Sequence, residues 1–286
     1  MNPPKSEPAG TERPLLTVTG LTRTFPARTS GTLSANSSRL VAVDNVSFEV
    51  DANQVIGLVG ESGSGKSTLG RCVLRLIEPD SGSIELNLPD NPGLDLARLS
   101  QGQLRHYRRN LQIIFQDPFH SLNPARPVWE IVGEGLIIEG IHKRGEIRER
   151  VAAILKRVGM EEDHLRRLPN AFSGGQRQRL AIARALIMNP IFVVCDEVTS
   201  ALDTRTQKQV LDLLEEIREE SGISLLFISH DLQTVASISD TVLVMRQGRI
   251  IERGHPDSLF VRPENEYTRT LVDAVPNPDP RQRSFR

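Results

Sequence analysis

The sequence predicts an α/β protein built on a mostly parallel sheet, with an all-helical insertion in the middle of the chain. Three observations carry this expectation. Short apolar runs at 54–60, 111–117, 190–197 and 224–231 alternate with helical stretches, as a sheet joined by helical crossovers requires. The strand signal then vanishes between Pro118 and about Met188. A glycine-rich loop also joins an early apolar strand to a helix, which is where open α/β sheets place their ligands.

The elements follow in order. Residues 1–14 are a loose polar tail, with no apolar core of a signal peptide. "LLTVTGLTRTF" (15–25) and "VAVDNVSFEV" (41–50) read as strands from their β-branched and aromatic content, joined by a polar Gly/Ser-rich loop at 26–39. "QVIGLVG" (54–60) is a strand that runs into the glycine loop, and a helix begins near Lys66. "SGSIELN" (81–87) and "LQIIFQD" (111–117) are further strands. Within the helical stretch, "EIRERVAAILKRVG" (146–159) puts Ile147, Val151, Ile154, Leu155 and Val158 on one face, with Gly159 as the stop. "PIFVVCDE" (190–197), a helix at 207–222 and "SLLFISHD" (224–231) resume the parallel core. "TVLVMRQGRIIERG" (241–254) reads as a hairpin turning at Gln247-Gly248, and 276–286 is a Pro-rich tail. Residues 15–275 are thus one domain, with a helical subdomain at about 118–188.

The composition limits what such a chain can do. With 286 residues, 38% hydrophobic and 25% charged, it can bury a core of ordinary size. A net charge of −1, from 35 basic and 36 acidic side chains, argues against a surface committed to nucleic acid. No run reaches the ~18 apolar residues of a membrane span. Cys72 and Cys195 fall in a helix and an apolar strand, so both read as buried, reduced thiols of a cytosolic protein or one on the cytosolic face of a membrane.

Two stretches carry the chemistry. "GESGSGKST" (60–68) lies between a strand and a helix. Gly60, Gly63 and Gly65 allow the tight backbone in which N–H groups, including those of Glu61, Ser62, Ser64 and Thr68, can turn toward phosphate oxygens. Lys66 brings charge to the β- and γ-phosphates, and the Ser67 hydroxyl suits Mg²⁺. "FVVCDE" delivers Asp196 and Glu197 to the same sheet edge, Asp196 for the cation and Glu197 as a base for the attacking water. An acidic pair alone would mean little; beside a phosphate loop it is informative. Gln116 and His230 end neighbouring strands, where the glutamine amide can reach metal or water and the imidazole a γ-phosphate. Phe25 either stacks on adenine or packs under the sheet.

A second glycine pair, in "NAFSGGQRQRLAIARAL" (170–186), opens an arginine-rich helix. Ser173 is a natural N-cap, and Gly174 and Gly175, followed by Gln176, leave backbone N–H groups accessible to a phosphate. Lacking a lysine, this helix start is a poor independent site. It makes sense as a lid over a partner chain's ATP.

"GESGSGKST", Gln116, "SGGQ", "VVCDE", "SALD" and His230 occur in the order found in ATP-binding subunits of ABC transporters, which the chain resembles over nearly its whole length. The resemblance implies a RecA-like P-loop NTPase core with an antiparallel β subdomain and a helical subdomain that touches two polytopic membrane permease subunits. It implies Walker A at 60–67, a Q-loop at Gln116, a signature at Ser173–Gln176, Walker B ending at Asp196, Glu197 as catalytic base, a D-loop at Ser200–Asp203 and a switch at His230. ATP and Mg²⁺ are the implied cofactors, with a second ATPase subunit, identical or homologous, as partner. "FQDPFHSLNP" (115–124) and "RPENEYTRTLVDAVPNPDP" (262–280) are similar to the oligopeptide/dipeptide importers, which would add an extracytoplasmic solute-binding protein as an indirect partner. Val198 departs from the proline common in the family, which alters the turn after Glu197. The ATPase-like component of phosphonate breakdown looks alike and is the alternative.

Overall fold

The computed structural model describes residues 13–26, 39–117 and 121–274. The expected N-terminal tail as far as residue 12, nearly all of the 26–39 loop and the Pro-rich end lie outside them.

Among the described residues, ten strands form two sheets. β1 (Leu16–Pro26), β2 (Arg39–Val50), β4 (Ser81–Leu88) and β5 (Asn91–Asp95) make an antiparallel sheet in the order β2-β1-β4-β5. β2 buries Val46, Phe48 and Val50 and exposes the residues between them, the alternation of a sheet with one wet face. β3 (Val55–Val59), β6 (Leu111–Ile114), β7 (Phe192–Asp196), β8 (Ser224–Ile228), β9 (Thr241–Arg246) and β10 (Arg249–Gly254) form the larger sheet, ordered β10-β9-β3-β8-β7-β6. It is parallel except for β10. β3, β7 and β8 are buried at every position because both sheet faces are covered.

The two-residue period of a strand divides that burial between two cores. Phe192, Val194, Leu226, Ile228 and Ile56 face the antiparallel sheet and helix α1 (Lys66–Val73), which packs against β2, β7 and β8. Val193, Cys195, Leu225, Phe227 and Val55 face the helices on the other side. Helix α2 (Gln101–Arg105), capped by Ser100, adds Leu104 to the first core.

Among the described residues, 121–188 contains helices and no strand. α3 (Val128–Val132), α4 (Glu134–Ile138), α5 (Arg144–Arg157) and α6 (Gly174–Leu186) share a core with the underside of the parallel sheet. All five apolar residues expected on the α5 face are buried. The chain turns at Gly159, φ +70°, two residues beyond the observed helix end. α7 (Thr204–Ser221) starts at the Asp203 cap and stops at Gly222, φ +65°. α8 (Leu232–Ile238), α9 (Pro256–Leu259) and α10 (Glu266–Asp273) complete the described residues. The β9–β10 hairpin turns at Gln247 (φ +49°) and Gly248 (φ +83°), as a two-residue turn with both central residues left-handed requires.

Candidate functional site

Because β3, β8, β7 and β6 are neighbours in the sheet, the segments leaving their C-terminal ends lie side by side. Those segments hold the glycine loop after β3, His230 after β8, Glu197 after β7 and Gln116 after β6. Strand register aligns them further, with Ile228 opposite both Leu58 and Asp196. Parallel pairing thus gathers residues more than a hundred positions apart.

Backbone contacts dictate the loop's glycines. A Cβ at Gly60 (φ +151°) would sit 2.1 Å from the Met245 carbonyl oxygen, and one at Gly65 (φ +107°) 2.0 Å from that of Ala42. Only a residue without a side chain can hold the loop against β9 and β2. Lys66, 5% exposed, donates through Nζ to the carbonyls of Gly60 (2.8 Å) and Glu61 (2.9 Å). Burial lowers its pKa below the ordinary lysine value, against the opposing charges of Glu197, Asp196 and Glu61. The Ser67 hydroxyl donates to Asp196 Oδ1 at 2.6 Å, and Arg71 Nη2 lies 3.3 Å from the other carboxylate oxygen. Asp196 is therefore buried but paired.

A cavity of about 410 Å³ opens over this loop, lined by Phe25, Leu40, Val41 and Ala42 of the antiparallel sheet, Ser62, Gly63, Gly65, Lys66, Ser67 and Thr68, with Gln116 and Glu197 on the far wall. Phe25 forms part of the wall, and the Arg23 guanidinium lies 4.8 Å from its ring centroid. Gly60, Glu61 and Ser64 are not in the lining: the first two turn their carbonyls to Lys66, and Ser64 is buried. Asp196 sits one layer behind, reached through Ser67.

Glu197 follows β7 with φ +51°, an uncommon left-handed conformation for a residue with a Cβ. Its N–H donates to the Ile228 carbonyl at 3.0 Å, which fixes the bend. The carboxylate accepts from Gln116 Nε2 at 2.9 Å and lies 3.4 Å from His230 Nδ1. His230 itself is exposed and reaches the cavity only by way of Glu197. A carboxylate, an amide and an imidazole so arranged beside a phosphate cradle can accept and pass on a proton from water.

The second glycine helix stands apart. Ser173 and Gln176 cap it reciprocally: the Gln176 N–H donates to Ser173 Oγ (3.3 Å), and the Ser173 N–H donates to Gln176 Oε1 (3.0 Å). A Cβ at Gly175 would lie 2.4 Å from Thr206 Cγ2, whereas one at Gly174 would meet nothing within 4 Å. None of Ser173–Gln176 lines the phosphate cavity; Gly174 instead borders a separate cavity of about 450 Å³ with Gln116, Asp117, Gln178, Val198 and Ser200–Leu202. A larger cavity of about 770 Å³ lies among Arg148, Glu149, Glu162, Asp163 and Arg166 on the helical insertion, away from all of these groups.

Sequence reasoning missed five contributors. Arg71 could have been found from its spacing, one helical turn after Ser67. Leu40, Val41 and Ala42 look like ordinary strand residues, and the pairing of β2 with β1 sets Leu40 opposite Phe25 at the cavity. Tyr267, whose hydroxyl accepts the Glu61 N–H at 3.0 Å, falls in the 262–280 stretch noted for its resemblance, but nothing local ties it to a loop 206 residues away.

A glycine-wrapped lysine, a Ser–Asp pair and a carboxylate on one edge of a parallel sheet define a nucleoside triphosphate-binding α/β protein. The family model described as ABC transporter matches residues 43–200, and the chain belongs to this family, among its ATP-binding subunits. It is 47% identical over 276 residues, 96% of this chain and 83% of the other, to a protein of Brucella ovis whose name gives peptide import ATP-binding as a provisional role. It is 45% identical to the glutathione import ATP-binding protein GsiA of Pectobacterium atrosepticum, covering 98% of this chain but 44% of that protein. The fold matches the ATP-binding cassette MJ0796 in a dimeric post-hydrolysis state with ADP and Pi (TM-score 0.72, 27% identity, 84% of this chain and 98% of that one). It also matches cbiO1 from Clostridium perfringens, part of the transporter complex cbiONQ (TM-score 0.72, 31% identity, 88% and 92%).

Proposed function

We propose that this chain is the ATP-hydrolysing subunit of a membrane importer for di- or oligopeptides or a related small solute, powered by ATP-driven closure of a dimer of such subunits. The names of the Brucella and Pectobacterium relatives support the solute class. The observation that carries the mechanism is the position of the Ser173 helix. Ser173 and Gln176 cap it, it borders no part of its own chain's phosphate cavity, and no described atom lies within 4 Å of where a Gly174 Cβ would stand. Among the described residues nothing requires a glycine at 174, and the missing side chain leaves room for a group that arrives from outside. A partner's γ-phosphate fits, because it can meet the free N–H groups at a helix start.

Within one chain, Gly60–Thr68 wrap the phosphates and Lys66 exchanges its two carbonyl partners for phosphate oxygens. Ser67 and Asp196 offer hard oxygen donors to Mg²⁺, a cation that usually takes one or two protein oxygens beside phosphate and water. When bound, it would offset charge on the β- and γ-phosphates. Glu197 accepts the proton of the attacking water, Gln116 and His230 hold its carboxylate, and Phe25 borders the base. The helical insertion meets the permease subunits: a groove of about 320 Å³ lies between it and the sheet edge, its apolar floor from Leu76, Ile113, Phe115, Ile138 and Met188 and its charged rim including Arg108, Arg109, Glu134, Glu139 and Arg184, with Leu76 and Ile138 46% and 57% exposed. The chain then sits peripherally on the cytoplasmic face, and a solute-binding protein acts across the membrane from it.

Mixing two inactive variants tests the shared site. Gly174→Asp places a carboxylate where the partner's γ-phosphate arrives, without a clash inside its own chain. It should leave ATP binding by the separate chain nearly unchanged while ATP-dependent dimerisation and hydrolysis fall together. Combined with Lys66→Ala chains, it should regain part of the activity where two copies pair. Loss of ATP binding by monomeric Gly174→Asp would assign the helix to its own chain's site and refute the closure.

A further inference from the structure

We infer that Tyr267 is a positioning residue for the phosphate loop, through which the C-terminal helix α10 sets the chain's affinity for ATP. The inference rests on the assignment of residues 60–68 as the ATP phosphate cradle.

The peptide unit between Gly60 and Glu61 is gripped from both ends. Its N–H, on Glu61, donates to Tyr267 Oη at 3.0 Å, and its carbonyl, on Gly60, accepts from Lys66 Nζ at 2.8 Å. A peptide unit is planar, so turning it moves both ends together. Tyr267 therefore fixes the orientation of the carbonyl that holds the catalytic lysine when no nucleotide is bound. It also fixes the direction in which the start of the cradle runs.

The phenol is itself held. It is buried, and the Arg246 guanidinium lies 4.6 Å from the ring centroid. Arg246 ends β9, and two residues later the Gly248 N–H donates to the Ser64 carbonyl at 2.9 Å. The same C-terminal part of the chain thus grips the loop at Glu61 and at Ser64. Glu252 of β10 anchors the entry to α10 by accepting the N–H groups of Glu264 (2.8 Å) and Asn265 (3.2 Å), and Asn265 caps the Tyr267 N–H (2.9 Å). Burial pushes the phenol's pKa upward, against the Glu61 N–H and the nearby Arg246 charge, so the hydroxyl stays neutral through the working pH range. An apolar core position here would be filled equally well by phenylalanine; the hydroxyl is what reaches the cradle.

The test is Tyr267→Phe in the full chain, with wild type and Lys66→Ala alongside and Mg·ATP as the probe. Loss of one net hydrogen bond that preorganises the loop should weaken ATP binding about three- to tenfold. KM for ATP should rise by the same factor, kcat should stay within about twofold, and exchange of the Glu61 amide should accelerate. A purely structural tyrosine would lower the melting temperature and leave Kd and KM unchanged, and that result overturns the inference. So does a wild-type chain, free of nucleotide, whose Glu61 amide exchanges as fast as an unbonded loop amide; this measurement holds even if the variant does not fold. If Lys66→Ala binds ATP as wild type does, the cradle assignment has failed instead.

Discussion

Replacing Glu197 by glutamine should separate binding from hydrolysis. The carboxylate sits between Gln116 Nε2 (2.9 Å) and His230 Nδ1 (3.4 Å), and an amide of nearly the same shape can still present an oxygen to Gln116. The left-handed bend rests on the Glu197 N–H and the Ile228 carbonyl, which the substitution leaves alone. What disappears is the proton acceptor. Positioned general bases contribute about 10²–10⁴ in rate, which corresponds to about 3–5 kcal/mol of barrier. Binding should move the other way if it moves at all. Glu197 lines the phosphate cavity, and its negative charge opposes an incoming γ-phosphate. ATP affinity should therefore be retained or improved. The assay is steady-state phosphate release beside an ATP titration, with size-exclusion chromatography to detect an ATP-held dimer. Hydrolysis within about twofold of wild type would remove Glu197 from the role of base. Weakened ATP binding would show that the carboxylate's main work is structural.

Lys66 should set an alkaline limit on kcat/KM: burial lowers its pKa below the ordinary lysine value, so the ammonium is lost, and the limb falls, at a pH below 10.5. Burial pushes the Tyr267 phenol the opposite way, upward, and a limb unchanged in an active Lys66→Arg variant would refute the assignment. Asp231 bears on acid stability. Burial alone would raise its pKa, but hydrogen bonds from Thr234, Gln207 and Gln233 outweigh that and lower it, so its stabilising contribution is present above the ordinary value of 3.8 and is lost as pH falls through the lowered folded value. Asp231→Asn should flatten this part of the acid-unfolding curve, and an unchanged slope would count against the pairing. Gly57→Ala probes packing alone: the new methyl would lie 2.4 Å from Val235 Cγ1 and 2.5 Å from Ser239 Oγ, so denaturant melts should show about 1–3 kcal/mol of destabilisation. Wild-type stability would mean α8 can slide freely over β3.

Much of this was legible in the sequence because local rules and tertiary structure agree. The central strands β3, β7 and β8 are short, almost wholly apolar runs, so their order of appearance and the positions of Lys66, Asp196 and Glu197 could be read directly. The α5 face followed from its spacing, and the β9–β10 turn from Gln247-Gly248. Boundaries drifted where hydrogen bonding, not polarity, ends an element. β6 stops at Ile114, leaving Gln116 free to turn toward Glu197, although "LQIIFQD" continues the apolar run. β5 was missed because "NPGLD" has a proline and a glycine and pairs only as an edge. Helix α10 has one turn of apolar spacing and no composition of its own to announce it. Its contact with the phosphate loop depends on how the C-terminal segment folds back over β9, which no window of sequence contains.

The two glycine clusters differ in what their glycines answer to. In the phosphate loop, Gly60 and Gly65 are imposed from within, by carbonyl oxygens 2.1 and 2.0 Å from where a Cβ would stand. The loop is therefore held in shape by its own chain before any ligand arrives: by β2, by β9, by Gly248 and by Tyr267. In the Ser173 helix, Gly175 is also imposed from within, by Thr206, but Gly174 faces nothing. Glycine is a weaker helix former than alanine, and at this first helical position no described neighbour in its own chain requires it. On the proposed reading, the compensating contact lies outside the chain. The phosphate cavity has the complementary gap, with charge and a base on its walls and none of Ser173–Gln176 among them. Each surface is short of what the other presents, and two chains facing each other head to tail would supply it twice.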